Sequence, residues 1–244
     1  MIGYPSINDF KNMVKYHMLD NCTVKVQDII NAERIFGPDV YAIKGKTTRK
    51  TPKRIEATHV DVPSDVYKRH KNLEVCIDIM YVQGLTFFIT ISRHLKFTTV
   101  EYIENRKSET LVKCVEHVTK LYRTKGFQVK IVYSDPEFLS IKDQLLGLGI
   151  TTNATSSSEH VPEIERHIRT IKECIHAAWS KLPFNYVPKL MVRELVAHIV
   201  TWINNFPPKG GISPIFSPRS IVIGNKLSMT KHCRLEFGAY AQAH

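Results

Sequence analysis

Two apolar runs, residues 73–82 (LEVCIDIMYV) and 85–92 (LTFFITIS), are separated only by Gln83-Gly84. Both are rich in β-branched and aromatic residues, and a two-residue connection ending in glycine is a short-range signal for a β-hairpin. A third run, FTTVEYI at about 97–103, adds another strand. Beyond it the pattern alternates. Leu111, Cys114, Val115, Val118 and Leu121 stand at helical spacing over 108–124, and Gly126 closes that helix. A strand over 127–134 (FQVKIVYS), a helix over 137–147 and a short strand near Ile150 follow. Residues 151–158 (TTNATSSS) read as a polar loop, a candidate mobile element. Two further helices are expected, from Pro162 to about Lys181 and from Pro188 to about Asn205. Three antiparallel strands followed by α/β alternation predict an α/β fold, a mixed sheet with helices on both faces.

The N-terminal stretch is different. Ser6 followed by Asp9 starts one short helix, and a second runs from about Val26 to Phe36, ended by Gly37-Pro38. The segment 44–54 (KGKTTRKTPKR) carries Lys44, Lys46, Arg49, Lys50, Lys53 and Arg54 with no acid and no large apolar residue. It reads equally as a solvated linker and as a phosphate contact. A boundary near residues 60–70 divides the chain into a helical extension with a basic linker (1–68), a core (69–206) and a tail (207–244). Lys and Arg exceed Asp and Glu by 34 to 23, a net charge of +11 that points to a polyanionic partner. An apolar fraction of 43% excludes disorder of the whole chain. No apolar run is long enough to span a bilayer, so no membrane partner is expected. The first ten residues lack a signal-peptide pattern. Five scattered cysteines without any C-x-x-C exclude a readable disulfide framework. An intracellular chain with reduced thiols is the expectation.

Acidic residues inside apolar strands carry the functional information. Asp78 lies within VCIDIM, and a carboxylate in a central strand is costly unless partnered. Asp135 ends the run QVKIVYS, where ligands bind in α/β sheets. If the two strands are neighbours, both carboxylates converge, and a divalent cation removes their repulsion. The structural alternative is a salt-bridged Asp78 and a helix-capping Asp135. On the helix after Pro162, Ile164, Ile168, Ile171, Ile175 and Ala178 form one apolar stripe. Glu165, Arg169 and Lys172 line its edge, while Glu163 points roughly opposite to Glu165. A plain Glu–Arg pair on a solvated helix fits the same spacing. Trp179 and Trp202 read as packing residues, His198 as a satisfied histidine, and Cys76 and Cys174 as buried small residues.

Asp78 in a hairpin, Asp135 at a strand end and Glu165 in VPEIERHIRTIKE together resemble the Asp-Asp-Glu core of integrases, in particular those of copia-type retrotransposon polyproteins. ERHIRTIKE (165–173) resembles that family's E-R-x-x-R-T-I run, which selects Glu165 over Glu163. KGKTTRKTP (44–52), NNFPPKGGISPIFSPRSIVIG (204–224) and KHCRLEFGAYAQAH (231–244) resemble the segments before and after the family's core. The resemblance covers about residues 40–244. It implies a ribonuclease H-like mixed five-stranded sheet flanked by helices, with a small helical N-terminal extension and a short C-terminal tail. It also implies DNA integration: a strand transferase or endonuclease that joins DNA 3′ ends to target DNA by a two-metal mechanism. Asp78, Asp135 and Glu165 would be catalytic and would hold Mg²⁺ or Mn²⁺. Arg169, Lys172 and the cations from Lys44 to Arg54 would contact DNA. The partners implied are element ends, target DNA and further copies of the chain, and the implied place of action is the nucleus.

The chain departs from the family in three ways. Only 29 residues separate Asp135 from Glu165, fewer than the family has. The run after the second aspartate is contracted to Asp135-Pro136-Glu137-Phe138. His17 and Cys22 stand singly where a zinc module needs pairs, so no zinc is expected. A methionine at position 1, within what resembles the middle of a polyprotein, suggests a fragment or decayed copy. Two other functions fit the same fold: a non-catalytic nucleic-acid-binding module, favoured by the contracted turn and short spacing, and a hydrolase using water alone.

Overall fold

The computed structural model describes residues 5–39, 58–154, 162–184, 186–233 and 235–239. The basic stretch from Lys44 to Arg54 and residues 155–158 of the expected polar loop lie outside the described residues, as do residues 159–161. The chain divides into two compact units, Met1–Ile55 with Ala239–His244, and Glu56–Gly238. The second unit therefore begins before the boundary expected at residue 68 and takes in most of the expected tail.

In the first unit, α1 (Ile7–Lys15) starts where Ser6 Oγ accepts the Asp9 N–H at 3.1 Å. α2 (Val26–Phe36) starts where Asp28 accepts the Lys25 N–H at 2.8 Å. It ends at Gly37, whose φ of 71° lies in the left-handed region that glycine tolerates. An ion pair between Lys11 and Glu33, 3.2 Å long, ties the two helices.

The second unit is built on a five-stranded sheet. In chain order its elements are β1 (Thr58–His59), α3 (Ser64–Arg69), β2 (Asn72–Val82), β3 (Leu85–Ser92), β4 (Thr98–Ile103), α4 (Ser108–Arg123) and β5 (Gln128–Ser134). A 3₁₀ turn (Pro136–Ile141), α5 (Lys142–Gly147), β6 (Thr151–Ala154), α6 (Pro162–Trp179) and α7 (Lys189–Ile203) follow. The unit closes with α8 (Pro218–Val222), β7 (Asn225–Lys226) and α9 (Met229–His232). Gln83 and Gly84, at φ 48° and 73°, give the hairpin a turn whose twist matches its strands. The sheet order is β4-β3-β2-β5-β6. β2 pairs antiparallel with β3 and β3 with β4, while β5 is parallel to β2 and β6 to β5. This is the expected α/β arrangement, a mixed five-stranded sheet flanked by helices.

The sheet is covered on both faces, which is why β2 and β3 read as nearly unbroken apolar runs. Val75 and Ile77 of β2 join a core with Leu111, Cys114, Val115, Val118 and Tyr122 of α4. Cys76 and Met80, pointing the other way, join a second core with Ile164, Ile171 and Ile175 of α6 and Leu195, Val196 and Val200 of α7. At the end of α7 the buried Asn204 side chain accepts the Thr98 N–H at 2.8 Å and donates to the Thr98 carbonyl at 2.7 Å, fastening α7 to β4.

One expectation needs correction. The short strand expected near Ile150 is the edge strand β6, so residues 151–154 are not loop; the strand is half-exposed and therefore polar. Residues 207–238, within the C-terminal tail, belong to the second unit. Ile221 and Val222 are buried in the α4-side core, and Asn225–Lys226 pairs with Thr58–His59.

Candidate active site

Strand register brings the two aspartates together. The last parallel pair of β2 and β5 is Cys76 with Tyr133, and two residues further along each strand stand Asp78 and Asp135. A step of two preserves the face, so both side chains belong to the α6 side of the sheet. Asp135 lies just past β5 in extended conformation, and its side chain does not cap the 3₁₀ turn that follows. Asp78 forms no ion pair with a cation among the described residues, and its Oδ1 accepts the Ile79 N–H at 2.6 Å. The structural alternatives for both residues, a salt bridge and a cap, are thus not what the chain forms.

α6 presents its two early glutamates on opposite flanks of the buried Ile164. Glu163 is bound by Arg93, at 3.1 Å, and by Lys96, both from the β3–β4 turn. Burial alone would raise the Glu163 pKa, but those two cations hold it below the ordinary range. Arg93 also bonds Glu74 at 3.1 Å and lies over the Tyr133 ring at 4.8 Å. One turn after Glu163, His167 Nε2 meets Thr98 Oγ1 at 2.7 Å. Burial first, and Lys96 second, lower the His167 pKa to about 4, so the ring is neutral. Glu163 and His167 therefore dock α6 against the β3–β4 turn and the start of β4, and Glu165, Arg169 and Lys172 lie on the other flank of the helix. Glu165 and Arg169 are exposed, while Lys172 is half-buried beside the hairpin turn.

The site is rich in negative charge. The Asp78 pKa is pushed up to about 6, first by burial and then by the carboxylates of Asp135, Glu165 and Glu137, against the stabilising Ile79 N–H. Glu137 was not singled out from sequence. It belongs to the contracted turn after Asp135 and pairs with Arg106 at 2.7 Å. Arg93, Lys96 and His167 were also missed, because their partners lie 67 to 70 residues away, or on another element.

The carboxylates of Asp78, Asp135 and Glu165 are hard oxygen donors, the type that suits Mg²⁺ or Mn²⁺. Among the described residues, no three His, Cys, Asp or Glu side chains stand close enough together to hold one metal ion. Glu165 is exposed. The contacts proposed from sequence for Lys44, Lys46, Arg49, Lys50, Lys53 and Arg54 lie outside the described residues.

No family model matches the chain, and no curated protein matches it. Among solved structures, the catalytic core domain of BIV integrase is similar at 16% identity over 62% of this chain and 93% of that one, with a TM-score of 0.46.

Proposed function

We propose that the chain is an integrase-type polynucleotidyl transferase that joins DNA 3′ ends to target DNA, of the copia-type retrotransposon kind. The observation that supports this best is the placement of Asp78 and Asp135 at matching positions of adjacent parallel strands, on the sheet face that carries α6. Glu165 adds a third carboxylate whose charge reaches Asp78. In this reading Asp78, Asp135 and Glu165 would together hold Mg²⁺. When bound, the metals supply the positive charge that activates a water or a 3′-hydroxyl and stabilises the departing oxygen. Asp78, Asp135 and Glu165 fix where that charge sits. Glu163, bound to Arg93 and Lys96, fixes the rotation of α6 and so the flank on which Glu165 emerges. Arg169 and Lys172, one and two turns further along that flank, hold the phosphates of the DNA end.

A second reading, a catalytically decayed module that binds nucleic acid without cutting it, is favoured by one observation. The three acids are not gathered tightly enough for a preformed metal cage. A strand-transfer assay with Mg²⁺ separates the two. Joined product from the parent chain and none from Asp78→Asn supports the transferase. Salt-sensitive DNA binding, identical in both proteins and without product, supports the decayed module. Cleavage without joining points to a hydrolase.

A further inference from the structure

The two helices of the first unit enclose almost nothing between them. Among the described residues, α1 buries no side chain and α2 buries only Ile29. Yet both carry an apolar face. Ile7 and Phe10 stand one turn apart on α1, and Ile29, Ala32 and Phe36 follow at steps of three and four on α2. These five residues and Val24 line a cavity of about 710 Å³ that lies wholly within this unit. Its floor is Ile29, while Val24 is 40% and Phe36 83% exposed. Short helices gain their stability by packing an apolar face against a further element, and contiguous exposed apolar surface marks a place where one docks.

The rim of this groove is acidic. Asp28, Glu33 and Asp39 line it, and among the described residues no Lys, Arg or His does. Asp28 also accepts the Lys25 N–H, and Glu33 pairs with Lys11, so part of the charge is offset. Even so, residues 5–39 hold five acids against four Lys and Arg, a net of −1 in a chain of +11. That sign decides what fits. Phosphates are repelled here, and a second copy would set one acidic rim against another. The chain's own run from Lys44 to Arg54 brings cations but no large apolar residue for the floor. A helix with apolar residues on one face and Lys or Arg beside them satisfies both floor and rim. We infer that the α1–α2 groove docks a basic amphipathic helix of another protein. Its apolar side chains meet Ile29, Ala32 and Phe36, and its cations meet Glu33 and Asp39. The inference does not depend on any chemistry at Asp78.

The probe is a labelled peptide of Leu and Lys, about 14 residues or four helical turns long, with its leucines at helical spacing. The full chain is titrated into it and anisotropy is followed. The expected result is saturable one-to-one binding. A peptide with the same leucines but Glu for every Lys binds at least about tenfold more weakly, as does a Leu/Lys peptide of the same composition with its leucines at alternate positions. Phe36→Ala weakens binding at least about fivefold, and Phe36→Leu restores most of it. Glu33→Lys with Asp39→Lys weakens it at least about fivefold and flattens its salt dependence. Phe36 is so exposed that its substitution leaves the fold intact, which thermal melts check. Binding by Phe36→Ala and by the charge-reversed variant equal to that of the parent overturns the inference. So does equal binding of the Glu peptide. Absence of binding to the full chain does the same, since the groove is then filled by the chain itself or docks no helix. A parent chain that self-associates in sedimentation while Phe36→Ala does not assigns the groove to a second copy and equally overturns it.

Discussion

Above pH 6 the Asp78 carboxylate is ionised in a half-buried position, facing the charges of Asp135, Glu165 and Glu137. Its pKa moves from 3.8 to about 6, so the folded protein binds this proton more tightly than the unfolded chain does. The contribution of Asp78 to metal-free stability is therefore lost as pH rises from about 4 to 6. His167 acts in the opposite sense. Its pKa falls from 6.5 to about 4, the unfolded chain takes the proton first, and stability is gained as pH rises through the same window. In the parent chain the two slopes oppose one another. Asp78→Asn removes one of them. Chemical denaturation in EDTA is expected to show the variant more stable than the parent by roughly 1–2 kcal/mol above pH 6, after allowance for solvent screening, with the difference closing toward pH 4. Parallel pH profiles for the two proteins would contradict the burial of that carboxyl among its neighbours.

Within α6, the proposed function gives two glutamates two residues apart different work. Glu163 is bound to Arg93 and Lys96 and carries a side chain about one quarter exposed, so Glu163→Gln removes a partly buried pair. That substitution is expected to cost about 1–2 kcal/mol. Glu165→Gln is expected to leave the thermal midpoint in EDTA nearly unchanged or slightly raised, since it relieves repulsion on Asp78, while abolishing strand transfer. Equal destabilisation by both variants would contradict the assignment of anchoring to one and chemistry to the other. The helix itself was legible in the sequence: Ile164, Ile171 and Ile175 are buried as their spacing predicts. So were the hairpin and the helix-to-strand alternation, because apolar periodicity is local. β6 was legible only as a short strand near Ile150, and its own residues 151–154 read as loop, since an edge strand can be polar throughout and gains its order from pairing with β5. The Arg93–Glu163 and His167–Thr98 contacts were not legible either, because they form between elements whose approach only the assembled sheet defines.

For the whole molecule, the unit Glu56–Gly238 carries both cores, and the segment after α7 contributes to one of them. A chain ending at residue 206 loses Ile221 and Val222 from the α4-side core, together with the pairing of Thr58–His59 with Asn225–Lys226. It is expected to lose at least about 3 kcal/mol or fail to fold, whereas a chain spanning 56–238 unfolds cooperatively. A cooperative and unweakened 56–206 fragment would show that the final segment is an appendage after all. The net charge of +11 gives the molecule a general attraction to polyanions, but the acids at the β2–β5 junction work against it locally. A site that concentrates negative charge in a basic protein is expected to be completed by a small cation before it accepts a phosphodiester. Calorimetric titration with Mn²⁺ tests that most directly. The account predicts saturable binding by the parent chain, abolished in Asp78→Asn and weakened at least tenfold in Asp135→Asn and Glu165→Gln. Indistinguishable titrations for the parent and all three variants would contradict it.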